Sequence, residues 1–172
     1  LVSAAVAVLD GGWDAWLKAG MAVSALVPEV KPARFVRGAA LVHSVTAGKI
    51  ASGLGTGQRR LLDARSPDRF RGENETLDPV AGHIPGAVNR FFKLNLDAAG
   101  GFRPPAALRR DFEAMLGAVP PSDVVHYCGS GVTACHNLLA MEVAGLAGSR
   151  LYPGSWSEWA ADPSRPVATG AD

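Results

Sequence analysis

The run Val124-Val125-His126-Tyr127-Cys128-Gly129-Ser130-Gly131-Val132-Thr133-Ala134 constrains the fold more than any other part of the chain. Four residues of strand character end on a cysteine, a glycine-rich turn follows, and a helical stretch from about Val132 to Gly145 starts at once. The same alternation recurs elsewhere. Arg60-Leu61-Leu62-Asp63-Ala64 reads as a short strand, after which Ser66-Pro67-Asp68 starts a helix with serine as N-cap and proline first. Thr46 can cap a helix over Ala47 to Leu54, and Gly86-Ala87-Val88-Asn89 leads into another extended segment. Leu108, Phe112, Met115 and Leu116 give Pro105 to Val119 a helical apolar stripe, and Arg150-Leu151-Tyr152 is a last strand. Short apolar strands separated by helices predict an α/β fold with a central parallel β-sheet flanked by helices on both faces. Right-handed crossovers then bring the strand C-terminal ends, Cys128 among them, to one edge.

Composition narrows the function classes. Of 172 residues 48% are hydrophobic and 19% charged, which suffices for a core and excludes a disordered tail. A formal net charge of +1 offers no basic surplus for nucleic acid or for an anionic membrane. Two cysteines cannot build a disulfide scaffold. Leu1 to Leu9 is apolar but far shorter than the roughly 20 residues a bilayer needs, and no basic segment precedes it. Ala5 to Leu9 therefore reads as a buried strand and not as a targeting segment.

An internal echo bears on domain organisation. Val8-Leu9-Asp10-Gly11-Gly12-Trp13-Asp14-Ala15-Trp16 and Arg150-Leu151-Tyr152-Pro153-Gly154-Ser155-Trp156-Ser157-Glu158-Trp159 both read strand, glycine turn, then Trp-x-x-Trp opening a short helix. The first tryptophans of the two pairs stand 143 residues apart, a domain's length and far beyond a solenoid repeat. Residues 1–27 are thus expected to be the C-terminal remnant of a first domain, 28–40 a linker, and 41–172 a complete second domain.

The chemistry centres on Cys128. A glycine-rich turn can aim successive amides inward, and the following helix adds positive potential at its N-terminus. Both stabilise a thiolate, and the same amides can hold an anionic substrate. The alternative is a buried structural cysteine, but the flanking glycines serve no purpose at a core position. Phosphotyrosine-type phosphatases need an arginine six residues after such a cysteine to clamp the phosphoryl group, and here that position is Ala134.

Cys128-Gly129-Ser130-Gly131-Val132-Thr133 resembles the active-site loop of 3-mercaptopyruvate sulfurtransferases in the rhodanese superfamily, where thiosulfate-type members usually carry Cys-Arg-Lys-Gly-Val-Thr. Leu61 to Arg65, Arg69 to Glu73 and Gly82-His83-Ile84-Pro85-Gly86-Ala87-Val88-Asn89 resemble other landmarks of the second rhodanese domain. The Gly-Ser-Trp-x-x-Trp element resembles its ending, and Asp10 to Trp16 that of the first. The resemblance implies a rhodanese-like fold and a cycle in which Cys128 takes a sulfane sulfur from 3-mercaptopyruvate as a persulfide. A thiol acceptor, such as thioredoxin or a small thiol, or cyanide then removes it. Amides from Gly129, Gly131, Val132 and Thr133 would cradle the sulfur, Ser130 would serve a proton relay, Arg69 would bind the donor carboxylate and Arg71 would be a second cation. Thiosulfate:cyanide transfer, or a non-catalytic rhodanese-like interaction module, are the alternatives. Where many eukaryotic-type members carry a further arginine, this chain has the acidic stretch Glu73-Asn74-Glu75-Thr76-Leu77-Asp78-Pro79. The body of a first rhodanese-like domain is an expected partner, since two-domain members complete the site from it.

Neither cofactor nor metal is expected: His126 and His136 flank the cysteines without a ligand spacing. Cys135 is expected in the core, His83 in a hydrogen-bonded turn, Asp63 and Arg65 in a structural pair, and the four tryptophans in packing at helix starts. A reactive thiol without an export segment points to the cytoplasm.

Overall fold

The computed structural model describes residues 7–32, 34 and 38–171. Four parallel strands form one sheet in the order β2-β1-β3-β4: β1 Arg60–Asp63, β2 Val88–Asn89, β3 Val124–Tyr127 and β4 Arg150–Leu151. Among the described residues six α-helices accompany them: α1 Gly12–Lys18, α2 Ala47–Ala51, α3 Pro67–Arg71, α4 Pro105–Leu116, α5 Val132–Val143 and α6 Ser155–Ala160. The expected α/β architecture is what the chain adopts.

Alternation along the strands divides the core between the two faces. Leu61, Val125 and Tyr127 pack with Ile50 of α2, Phe70 of α3 and both tryptophans of α6. Leu62 and Val124 point the other way, toward Leu108, Phe112 and Leu116 of α4 and toward Ala140 and Met141 of α5. Leu61, Leu62, Val124 and Val125 are therefore apolar in succession along the two central strands, because each face is covered. His126 shares the second direction by parity with Val124, and is fully buried.

Strand order sets the position of the site. From β1 the chain first moves outward to β2, then returns across to β3 on the other side of β1. Loops leaving β1 and β3 diverge at this reversal and open a crevice at the C-terminal ends of both strands. Asp63 lies opposite Tyr127, and the Ala64 amide donates to the Tyr127 carbonyl at 2.9 Å, so Ala64 and Cys128 enter the crevice side by side.

The N-terminal region departs from the sequence expectation. Ala5 and Val6 lie outside the described residues, while Ala7 to Leu9 form no strand and Val8 is 68% exposed. A strand needs a neighbour for its amides, and no described strand runs beside this segment. α1 has no buried residue, whereas Trp156 and Trp159 of α6 are fully buried. The two Trp-x-x-Trp elements thus share a local form and differ in surroundings. Among the described residues a polar contact ties the first to the body, from the Phe102 amide to Asp10 Oδ1 at 2.9 Å.

Candidate active site

Cys128 stands at the end of β3 and is gripped from the start of α6. Its amide donates to Ser155 Oγ at 3.1 Å, and that hydroxyl donates to the Tyr152 carbonyl at 3.0 Å. Its carbonyl accepts from the Trp156 amide at 2.9 Å, and the Gly129 carbonyl accepts from both the amide and the hydroxyl of Ser157 at 3.0 Å. Ser155 holds φ at +55°, a left-handed conformation that side chains other than glycine seldom adopt. Such a conformation persists where its surroundings over-determine it, and here the bonds to Cys128 and Tyr152 do so.

The sulfur accepts the Gly131 amide at 3.1 Å. Gly131 has φ +86°, and a Cβ there would lie 2.6 Å from the Pro153 carbonyl oxygen. Only glycine allows the turn to pass this close to the α6 entrance while aiming its N–H at the sulfur.

A cavity of about 570 Å³ opens beside Cys128. It is lined by Cys128, Gly129, Ser130, Val132 and Thr133 from the loop, and by Ala64, Arg65, Ser66 and Arg69 from the end of β1 and from α3. Leu77, Asp78, Phe91, Phe92, Lys93 and Ser157 complete the wall. The cavity therefore gathers all of the expected site residues but two. Gly131 sits behind the sulfur. Arg71 does not line the cavity and is paired on the surface with Glu73, through contacts of 2.8 and 2.7 Å.

Arg69 reaches the loop, since a Cβ on Gly129 would lie 3.7 Å from its Nη1. Its other nitrogens are held by acids: Nε donates to Glu75 Oε2 at 3.1 Å, and Nη2 donates to Glu75 Oε1 at 2.7 Å and to Asp78 Oδ2 at 3.4 Å. Burial pushes the Glu75 carboxyl up, but Arg69 and the amides of Leu77 and Asp78 outweigh it and leave Glu75 below the usual carboxylate range. Behind them all three nitrogens of the Arg65 guanidinium are engaged. Its Nη2 donates to Asp63 Oδ2 and to the Gly82 carbonyl, both at 2.7 Å, and its guanidinium lies 4.9 Å from the Trp156 ring centroid. The expected structural pairing of Asp63 and Arg65 is present.

Other expected residues resolve as follows. His83 Nδ1 meets the Phe70 carbonyl at 2.8 Å and its ring stacks on Phe70 at 3.8 Å, the hydrogen-bonded turn foreseen for it. Trp16, Trp156 and Trp159 donate their indole N–H groups to carbonyls, whereas Trp13 is exposed. Cys135 is not a core thiol: it is exposed on α5 and donates to the Gly131 carbonyl at 3.3 Å. Ala134, Asn137, Leu138 and Met141 take the inward positions of that helix, and residue 135 falls outside their stripe.

Sequence reading left out Asp78, Phe91, Phe92, Lys93 and the anchoring role of Ser155. A signal existed for the middle three: Phe91-Phe92-Lys93 follow β2, and strand C-terminal ends line the crevice. They are carried by a 3-10 turn over Phe92–Asn95, held against α5 by Asn95 Nδ2 donating to Asn137 Oδ1 at 2.7 Å.

Comparison with known proteins places the chain in a family. Residues 46–162 match the description "Rhodanese-like domain". Over 165 residues the chain is 49% identical to a Pseudomonas aeruginosa protein named as a probable 3-mercaptopyruvate sulfurtransferase, covering 96% of this chain and 58% of the relative. It is 36% identical over 160 residues to bovine thiosulfate sulfurtransferase, covering 90% of this chain and 52% of that protein. The crystal structure of an anaerobic ergothioneine biosynthesis enzyme from Chlorobium limicola, with its natural substrate trimethyl histidine, is similar with a TM-score of 0.82. Its sequence is 25% identical, and the likeness covers 95% of this chain and 41% of that one. The chain thus spans little more than half the length of these curated relatives.

Proposed function

The chain belongs to the rhodanese-like domain family, and from that premise we propose that it moves a sulfane sulfur from 3-mercaptopyruvate through a Cys128 persulfide to a thiol or cyanide. The observation that carries the reading is the Gly131 N–H aimed at the Cys128 sulfur, at the edge of a cavity that also holds Arg69. In the first step the Cys128 thiolate attacks the thiol sulfur of the donor. A sulfur–sulfur bond forms and the carbon–sulfur bond breaks. The departing electron pair yields the enolate of pyruvate, which takes a proton on carbon. In the second step an acceptor thiolate or cyanide attacks the outer sulfur, and Cys128 leaves as thiolate.

Residue roles follow the cavity. Amides of Gly129, Gly131, Val132 and Thr133 stabilise the anionic sulfur, and the hydroxyls of Ser130 and Thr133 stand beside it, Ser130 relaying the proton. Arg69 binds the donor carboxylate through Nη1, the nitrogen beside the loop. Arg71 adds a second cation on the same helix at longer range, its guanidinium held by Glu73. Thiosulfate is the second donor considered, because a bovine thiosulfate sulfurtransferase is among the relatives. Residues 1–27 are proposed as the end of a first rhodanese-like domain whose body completes the site, with 28–40 as linker and 41–172 as the catalytic unit. Part of that linker, residues 33 and 35–37, lies outside the described residues. No helix among the described residues is long and apolar enough to cross a membrane, and the reactive thiol supports a cytoplasmic setting.

Cyanolysis tests the reading. The protein is incubated with each donor, freed of it, and treated with cyanide. Thiocyanate in stoichiometric yield after mercaptopyruvate, and none from Cys128→Ser, is expected. Equal yield from that variant would sink the proposal.

A further inference from the structure

The charges around the cavity cancel except for two. Arg65 is neutralised by Asp63, at 2.7 Å, in full burial. Arg69 is neutralised by Glu75, which is itself saturated: Oε1 accepts from Arg69 and from the amides of Leu77 and Asp78, and Oε2 accepts from Arg69 and Arg65. Asp78 is therefore a surplus negative charge on the wall. Among the described residues its side chain has one polar contact, at 3.4 Å to Arg69, which leaves most of its acceptor capacity unused. Lys93 is the surplus positive charge. Among the described residues it forms no ion pair, and its ammonium stands 6.0 Å from the Phe91 ring centroid. The wall thus carries one weakly paired carboxylate and one ammonium without an ion pair among the described residues, and Cys128 lines the same cavity.

We propose that Asp78 is a specificity-determining residue that selects, as sulfur acceptor, a small zwitterionic thiol bearing an ammonium next to its thiol-carrying carbon, the α-amino-acid thiols of the cysteine class. The ammonium is bound by Asp78, and the carboxylate by Lys93 and the free Nη1 of Arg69. This inference rests on the sulfur-transfer reading above and names its acceptor. The reaction balances without any further reagent. The acceptor thiolate attacks the outer sulfur of the Cys128 persulfide, the inner sulfur–sulfur bond breaks, and Cys128 leaves as thiolate while the thiol's proton ends on the new small-molecule persulfide.

An ammonium on a poorly paired, largely buried carboxylate makes a charge-assisted hydrogen bond, and losing it is worth roughly tenfold or more in affinity. A thiol lacking the ammonium keeps its carboxylate on Lys93 and Arg69 but leaves Asp78 without the cation that would pair it. Cyanide and a thiol on a protein surface gain nothing from this arrangement.

The test is single-turnover removal of labelled sulfur from the Cys128 persulfide by cysteine, N-acetylcysteine, 3-mercaptopropionate and cysteamine, each rate corrected for the ionised fraction of its thiol. Expected is a kcat/KM for cysteine about tenfold or more above N-acetylcysteine and 3-mercaptopropionate, carried by KM. The ratio of cysteine to N-acetylcysteine should fall toward one in Asp78→Asn. Lys93→Met should instead erase the preference for cysteine over cysteamine. A wild-type protein that does not distinguish cysteine from N-acetylcysteine overturns the inference, as does an unchanged ratio in Asp78→Asn. In either case a loaded persulfide leaves the sulfur-transfer reading standing. If mercaptopyruvate, thiosulfate and polysulfide all fail to load Cys128, both fall together.

Discussion

His126 lies two residues before the cysteine, fully buried, with neither ring nitrogen hydrogen-bonded among the described residues. Burial lowers its pKa to about 3. An unfolded chain would protonate it near 6.5, so below that pH the unfolded state binds the extra proton and the folded state does not. Stability is therefore complete above about pH 6.5 and falls as pH drops toward 3, by up to ~1.4 kcal/mol per unit from this residue. His136, lowered by desolvation in the same direction, adds to the slope. Glu75, whose carboxyl is depressed, loses its contribution only below the ordinary carboxylate range near 4.3. Urea unfolding at pH 6 and pH 5 thus isolates the histidines. His126→Leu is expected to flatten that slope relative to wild type, and an undiminished slope would show that another group carries it. Ser155 supplies a second prediction at this scale. Its hydroxyl bridges Cys128 and Tyr152 while its backbone is held at φ +55°. Ser155→Ala loses both bonds, about 1–3 kcal/mol, and keeps the strain. Ser155→Gly loses the bonds but relieves about 1 kcal/mol of backbone cost. The alanine variant should be the less stable of the two in chemical denaturation, and the reverse order would contradict the strain argument.

At the scale of elements, the site is a joint between β3, α5 and α6. Gly131 opens α5 and passes so close to Pro153 that a Cβ would clash at 2.6 Å. Gly131→Ala must push the entrances of α5 and α6 apart and turn the amide off the sulfur. Loss of at least about 2 kcal/mol of stability and a hundredfold or greater fall in sulfur-loading rate are expected. A stable variant with wild-type loading would remove the Gly131 contact from the account. Elements were largely legible from the sequence, because apolar pattern and turn chemistry agreed. Thr46 caps α2 and its side chain accepts the Lys49 amide at 3.4 Å, Pro67 and Pro105 open α3 and α4, and the stripe Leu108, Phe112, Leu116 is buried as its spacing requires. What could not be read was Phe92–Asn95, a single 3-10 turn without periodicity, which is held by the tertiary contact of Asn95 with Asn137. The place of Phe91, Phe92 and Lys93 after β2 points them to the crevice edge, but the turn that aims them into it leaves no local pattern. Asp78 lies in a segment whose acidic character was plain, but its place on the cavity wall depends on the non-periodic loop that folds Glu75 back onto Arg65 and Arg69. Ser155 stood within a visible motif, yet its bond to the Cys128 amide spans 27 residues, beyond any local pattern.

For the whole molecule, the order β2-β1-β3-β4 does most to create the site, since the reversal beside β1 puts the loop of Cys128 next to the loop that carries Arg69. Alternation of strands and helices made this parallel arrangement foreseeable. It did not foretell the N-terminal region, where the described apolar residues are largely exposed and Ala7 to Leu9 find no strand to pair with. Apolar composition marks a surface to be covered without saying by what. The body of the first domain proposed above is the surface that would cover it. The central claim nevertheless concerns one atom, the sulfur of Cys128. Intact-mass measurement after incubation with 3-mercaptopyruvate tests it most directly. The account predicts a gain of one sulfur atom, located on the peptide containing Cys128, reversed by cyanide and absent from Cys128→Ser. An unchanged mass with every donor, or the same gain in Cys128→Ser, would contradict it.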